Sequence, residues 1–272
     1  MSNIQNPENK KLSDFKVLNF DVFGTLIDWE SGVVDGLEPL LARSSETSKW
    51  TRREKLDAFE EVEAGLQRQH PDMIYSDILA NTHNGLAAKL GIETTPELDK
   101  AFGQSIRNWT PFPDTCAALA KLSKYYKLAV LSNVDNETFQ YTIKRLESEG
   151  GKFSQVVSPN SPSTTSWLLE SEGGKFSQVV TAQDVGSYKP DERNFLHALR
   201  EIKNNFGVEK EEVLVTAQSL FHDHAPANKL GLKSAWIARE NVTIGRNSPA
   251  SYTFKFITLG AMADAAEAEF EK

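Results

Sequence analysis

The stretch Phe15-Lys16-Val17-Leu18-Asn19-Phe20-Asp21-Val22-Phe23-Gly24-Thr25 decides how the rest of the chain is read. Phe15, Val17, Leu18 and Phe20 form a short apolar run of strand length, and Gly24-Thr25 stops it in a tight turn. Asp21 therefore stands where a buried strand ends.

Outward from that strand the rhythm changes twice. From Trp29 to about Trp109 the pattern is helical. Leu56, Phe59, Val62 and Leu66 recur at three and four residues and share one helix face. Ile78, Leu79, Leu86 and Leu90 belong to a second helix stopped by Gly91, and Glu97 to Trp109 to a third. Pro111-Phe112-Pro113 closes this helical insertion. Beyond it, strands at 128–132, 213–215 and 234–237 alternate with helices at 114–125, 136–148, 191–205 and 225–230. That alternation predicts an α/β fold, a doubly wound, Rossmann-like parallel sheet. The expected organisation is a disordered tail over 1–12, a core domain over 13–28 and 111–272, and a helical domain over 29–110.

One block departs from this order. Leu146 to Val157 recurs identically as Leu169 to Val180, with a polar run, Ser158 to Ser166, between the copies. Two copies are too few for a solenoid, so 146–180 reads as a tandem duplication carrying a surface loop. The second copy runs into Thr181-Ala182-Gln183-Asp184, so Gln178-Val179-Val180 is expected to be the core strand. Phe153 and Phe176 should then differ in burial, because context decides.

Composition narrows the function. The chain of 272 residues carries a net charge of −8, with no basic tract, which argues against a nucleic-acid partner. No window approaches the roughly 20 apolar residues of a membrane span, and the N-terminus lacks a secretory pattern. The single cysteine, Cys116, excludes an internal disulfide framework and reads as a buried apolar residue. A cytoplasmic protein is expected, with a homodimer left open.

Doubly wound sheets bind ligands beyond the carboxyl ends of their strands. Asp21, Ser132-Asn133, Lys189 and Asp223 all fall there or close by. Asp21-Val22-Phe23-Gly24-Thr25-Leu26-Ile27-Asp28 resembles the first motif of the haloacid dehalogenase superfamily. Leu131-Ser132-Asn133 resembles the second and Tyr188-Lys189-Pro190-Asp191 the third. Val215 to Asp223, followed by Pro226-Ala227 and Gly231, resembles the fourth. The resemblance makes the helical insertion a cap domain. It implies a hydrolase with Asp21 as covalent nucleophile, oriented by Thr25 and Ser132. Lys189 supplies a positive charge and Asp223 directs Lys189. A carboxylate nucleophile divides one hard displacement into two easier steps. Asn133, Phe23, Thr25, Ser219 and His222 are the expected substrate contacts.

Within the superfamily, phosphatases place an acid two residues after the nucleophile and further acids in motif four for Mg²⁺. Here those positions hold Phe23 and Gln218. Phe23 cannot transfer a proton, and Mg²⁺ prefers carboxylates. Both residues point to the metal-independent type II 2-haloacid dehalogenase branch, acting on small anionic 2-haloalkanoates without a cofactor. That branch also uses a cap arginine for the halide, for which Arg52, Arg53 and Arg68 are candidates. Its tyrosine, asparagine and tryptophan positions hold Phe195, Leu220 and His222. The alternatives are a Mg²⁺-dependent phosphatase and a non-catalytic binding protein. His222 and His224 flank Asp223, but a proton relay or pocket lining suits His222 better than a metal. Phe23, Trp29, Tyr75 and Trp109 are candidates to line an apolar pocket.

Overall fold

The computed structural model describes residue 6 and residues 8–148 and 176–272. Strand β1 (Val17–Phe20) is followed by four helices, α1 (Trp29–Leu41), α2 (Arg52–Gln69), α3 (Tyr75–Leu90) and α4 (Pro96–Gln104). Then come α5 (Thr115–Leu122), β2 (Lys127–Ser132), α6 (Asn136–Ser148), β3 (Phe176–Thr181), α7 (Ala182–Val185) and α8 (Glu192–Phe206). The chain continues through β4 (Val213–Ala217), α9 (Ala225–Lys229), β5 (Lys233–Ile237), β6 (Phe254–Phe256) and α10 (Leu259–Phe270).

The strands form one parallel sheet in the order β3-β2-β1-β4-β5-β6. The order reverses at β1, so the crevice for a ligand opens at its carboxyl end. Both faces of the sheet are covered. Leu18, Phe20, Leu128, Val130 and Leu214 pack with Leu119 of α5, Phe139 of α6 and Met262 of α10. Val17, Ala129 and Val213 join Ile202 of α8, while Leu131, Val180 and Val215 join Phe195 of α8 and Ala227 of α9. Alternate residues of a strand point to opposite faces, and burial on both sides makes the strand sequence nearly all apolar.

The four inserted helices have clear local causes. Asp28 caps α1, and Thr51 with Glu54 forms a reciprocal capping box on α2. Gly91, at φ 65°, ends α3, and Thr95 with Pro96 starts α4. Their buried residues Phe59, Ile78, Leu79 and Phe102 belong to the same apolar cluster as Leu26, Ile27 and Trp109. The helical layer is therefore packed directly over the end of β1. Among the described residues no helix is long and apolar enough to cross a membrane.

The strand from the second repeat copy is in place: β3 pairs with β2, and Gln178 is buried, donating to the Ala198 carbonyl at 3.2 Å. The loop at 158–166 and the comparison of Phe153 with Phe176 lie outside the described residues. Of the twelve residues read as a tail, Leu12 is built into the core. Three elements were not anticipated, α7, β6 and α10. The helix expected from Glu97 to Trp109, α4, also ends sooner than its pattern suggests, at Gln104, where a 3₁₀ turn over Ser105–Asn108 takes over.

Candidate active site

Asp21 follows the last residue of β1, and its amide donates to the Thr216 carbonyl of β4, which fixes its backbone in the sheet. Gly24 turns the chain back at φ 95°, a conformation open to glycine. The turn brings the Thr25 hydroxyl to Asp21 Oδ2 at 2.7 Å, where it donates. The same hydroxyl oxygen accepts from the Gln218 amide at 2.9 Å. Arg239 is buried behind this turn, donates twice to the Thr25 carbonyl at 3.1 and 2.9 Å, and pairs with Asp114. Asp114 in turn accepts from the Gly260 amide at the start of α10.

Lys189 is 2% exposed and lies between two carboxylates. Its Nζ donates to Asp21 Oδ1 at 2.9 Å, to Asp223 Oδ1 at 2.7 Å and to the Leu131 carbonyl at 2.9 Å. An ammonium has three donors, so all are engaged. Asn133 clamps the lysine's backbone, accepting from its amide at 2.7 Å and donating to its carbonyl at 3.1 Å. Asp223 is carried by a π-helical turn over Leu220–His224 whose first amides hang from Gly245 and Ser219. Such turns are rare and cluster at functional sites.

Burial and the flanking charges set the protonation states. Burial would lower the Lys189 pKa, but Asp21 and Asp223 reverse that and raise it. Burial, with Asp21 adding to it, pushes Asp223 up to about 7 against the pull of Lys189. Burial and then the Lys189 charge hold His222 down at about 4, so its ring is neutral at neutral pH. Asp223 Oδ2 and the Ser132 hydroxyl are buried without a hydrogen-bond partner among the described residues.

A cleft of about 80 Å³ opens above these groups, lined from the sheet side by Asp21, Phe23, Asn133, Lys189, Gln218, Ser219, His222 and Asp223. Gly245 closes one edge: a Cβ there would sit 2.6 Å from the Ser219 hydroxyl. Trp29, Glu60, Glu63, Gln67 and Tyr75 of the inserted helices form the facing wall. Tyr75 donates to Glu63 at 2.6 Å. Burial, and to a lesser degree Glu60, raises Glu63 to about 7 against that hydrogen bond.

Comparison with known proteins agrees with this geometry. The sequence pattern of haloacid dehalogenase-like hydrolases matches residues 15–216. The chain belongs to that family. Its fold is shared by L-2-haloacid dehalogenase from Xanthobacter autotrophicus, at 17% identity and a TM-score of 0.68 over 93% of this chain and 98% of that one. A defluorinating L-2-haloacid dehalogenase superposes with a TM-score of 0.69 at 16% identity, over 95% and 98% of the two chains. The magnesium-bound HAD-hydrolase YfnB from Bacillus subtilis does so at 0.64 and 18%, over 95% and 100%. No curated protein matches the chain.

For this haloacid dehalogenase-like chain, Asp21, Lys189 and Asp223 meet as the motifs require, and Asn133, Phe23, Ser219 and His222 line the cleft. Thr25 needs correction. It is wholly buried beneath Asp21, off the cleft, where its hydroxyl donates to the Asp21 carboxylate. Ser132 is likewise buried behind the lining, 1% exposed. None of the three arginines reaches the cleft. Arg52 turns to Asp28 and Glu30, Arg53 pairs with Asp57, and Arg68 is exposed. Trp109 packs edge-on against Phe23 and backs the pocket without lining it. His224 uses both ring nitrogens, on Ser234 and the Ala217 carbonyl. Glu60, Glu63, Gln67 and Ile244 were missed by sequence reasoning. The glutamates lie on the polar side of an amphipathic helix, where a solvated face is the default reading.

A family Mg²⁺ ion would need oxygens from Asp21, the Phe23 carbonyl and Asp223. The donor set does not fit one. Lys189 already bridges Asp21 Oδ1 and Asp223 Oδ1, and the Gln218 side chain donates from Nε2 to the Ile244 carbonyl at 3.0 Å. Among the described residues, no group of three His, Cys, Asp or Glu side chains is placed to hold a metal.

Proposed function

We propose that this hydrolase works through an ester on Asp21, formed by displacing a leaving group from carbon without a metal. The observation that carries this reading is the bridge from Lys189 to Asp21 and Asp223, with Thr25 on the second oxygen of Asp21. A carboxylate held from both sides is aimed before substrate arrives.

In the first step an Asp21 oxygen bonds to the substrate carbon as the carbon–halogen bond breaks and halide departs with the electron pair. No proton is required, which suits Phe23 in the position next but one to Asp21. In the second step water adds to the ester carbonyl and the substrate oxygen leaves, taking a proton, so that Asp21 is restored. Asp223, with a free oxygen and a carboxyl raised to about 7, is the group suited to take the water's proton. The helical layer acts as the cap that excludes bulk water.

The resemblance nominates 2-haloalkanoates as reference substrates. The test is halide release from 2-chloropropionate, chloroacetate and uncharged and ammonium-bearing chloroalkanes, beside phosphate release from phosphate esters, each with and without EDTA. Halide release that survives chelation is expected. Phosphate release that stops with EDTA and returns with Mg²⁺ would overturn the reading in favour of a phosphatase.

A further inference from the structure

The charges around the cleft do not suit a carboxylate. Four carboxyl groups line it, Asp21, Glu60, Glu63 and Asp223, and among the described lining residues Lys189 is the one cation. All three of its donors are engaged by protein acceptors, and His222 beside it is neutral near pH 7. The cap arginines that would receive an anion face other partners. An incoming carboxylate would be desolvated among like charges with no free cation to meet it.

The remaining features suit a positive ligand. Glu63 has one oxygen taken by Tyr75 and Gln67, at 2.6 and 3.1 Å, which leaves the other free. Glu60 stands half-buried, with no hydrogen bond of its own among the described residues. Trp29, Phe23 and Tyr75 add aromatic rings to the same small space, and their negative faces attract organic cations. A separate observation comes from the floor. Asp223 is 2% exposed, lines the cleft, and keeps one oxygen with no donor among the described residues. It is an acceptor awaiting an N–H or O–H from whatever binds.

We propose that the cleft takes a small substrate bearing a compact organic cation, an alkylammonium, with Glu60 and Glu63 as its specificity residues. The cation sits against the wall while the carbon to be displaced faces Asp21. This deepens the proposed function and rests on its placing of the substrate in this cleft. It differs from the 2-haloalkanoates in the sign of the ligand's charge.

Binding of propylammonium and of propionate, matched in chain length and lacking a leaving group, tests the proposal. Intrinsic tryptophan fluorescence, with Trp29 in the cleft wall, supplies the readout at pH 8, constant ionic strength and with EDTA present. The affinity ceiling per heavy atom limits propylammonium, with four, to a dissociation constant of about 40 μM at best. Propylammonium should saturate at a concentration at least tenfold below propionate. Glu60→Gln and Glu63→Gln should each weaken propylammonium at least fivefold. Glu61→Gln, the same charge change on the exposed side of α2, should leave it within twofold. Circular dichroism melts confirm that each variant folds. Tighter binding of propionate, saturation by neither ligand, or indifference to both glutamate substitutions would overturn the proposal. Neither probe can form an ester, so this result is independent of Asp21 chemistry. Failure of the ester reading would instead appear as unchanged turnover in Asp21→Asn.

Discussion

Lys189 and Glu60 line the same cleft, yet one side chain is bound three times and the other makes no hydrogen bond among the described residues. The sheet side is over-determined. Asp21, Thr25, Asn133, Lys189 and Asp223 each hold another member of the group, and a rigid parallel sheet holds the strand ends that carry them. The helical side carries Glu60, Glu63 and Tyr75 with one short hydrogen bond among them. A reaction centre must be placed to a fraction of an ångström. A wall that selects by charge needs less, because Coulomb attraction falls slowly with distance. The contrast separates what performs the chemistry from what chooses the substrate.

Breaking the sheet side should produce the largest effects. Asp21→Asn is expected to lower turnover by about 10⁴-fold while thermal unfolding stays near that of the parent, measured by halide release and a melt on the same sample. Full activity in the folded variant would remove the covalent step. Lys189→Met leaves two carboxyl groups buried without their cation. Losing one partner of a buried pair costs about 3–5 kcal/mol, to be read from urea unfolding at pH 8. A loss under 1 kcal/mol would mean that the two carboxylates do not depend on Lys189.

The helical side should respond to pH instead. Folded Glu63 titrates near 7, above the ordinary 4.5. Between those values the folded chain holds a proton that the unfolded chain has released, so this group's contribution to stability falls as pH rises and levels off above 7. Glu63→Gln removes that loss. Its stability relative to the parent should increase from pH 4.5 to pH 7, by about 1–3 kcal/mol, in paired urea titrations. His222 and His224, both held near 4 by burial, drive the opposite trend between 4 and 6.5 in parent and variant alike, so the difference isolates Glu63. A flat difference would show that Glu63 ionises as freely folded as unfolded. The smallest effect is expected from deleting Ser158 to Val180, which joins Val157 to Thr181 and leaves one copy of the repeated block to form β3. That shortened chain should keep its melting temperature within a few degrees, and its activity. Failure to fold would make the duplication structural.

The same division explains what could be read from sequence. The sheet side was legible because its parts are local. An apolar run ends in Asp21, a breaker turn brings Thr25 back, and Lys189-Pro190 follows a strand. Each alone is weak evidence, and the reading came from their order along the chain, which resembles the family's four motifs. The wall was not legible. Glu60 and Glu63 belong to a charged helix face, and only tertiary packing decides that this face meets the cleft rather than water. The halide-binding expectation failed on the same point: Arg52 lies in the right region, but Glu30 and Asp28 are near enough to hold it. The helix α10 left a signal that went unread, with Thr258 as its cap and alanines through Leu259–Phe270. The β6 strand left almost none, being three residues long with its middle lysine exposed.

Arg239 ties regions that the sequence keeps far apart. From the Thr25 carbonyl the bonds run through its guanidinium to Asp114, and from Asp114 to the first turn of α10, which lies beyond the family-matched residues. The turn that aims Asp21 is thus one link in a load path anchored at the last helix. Unravelling of that helix would loosen the turn that aims Asp21, a mechanical dependence of the reaction centre on a segment outside the family-matched residues.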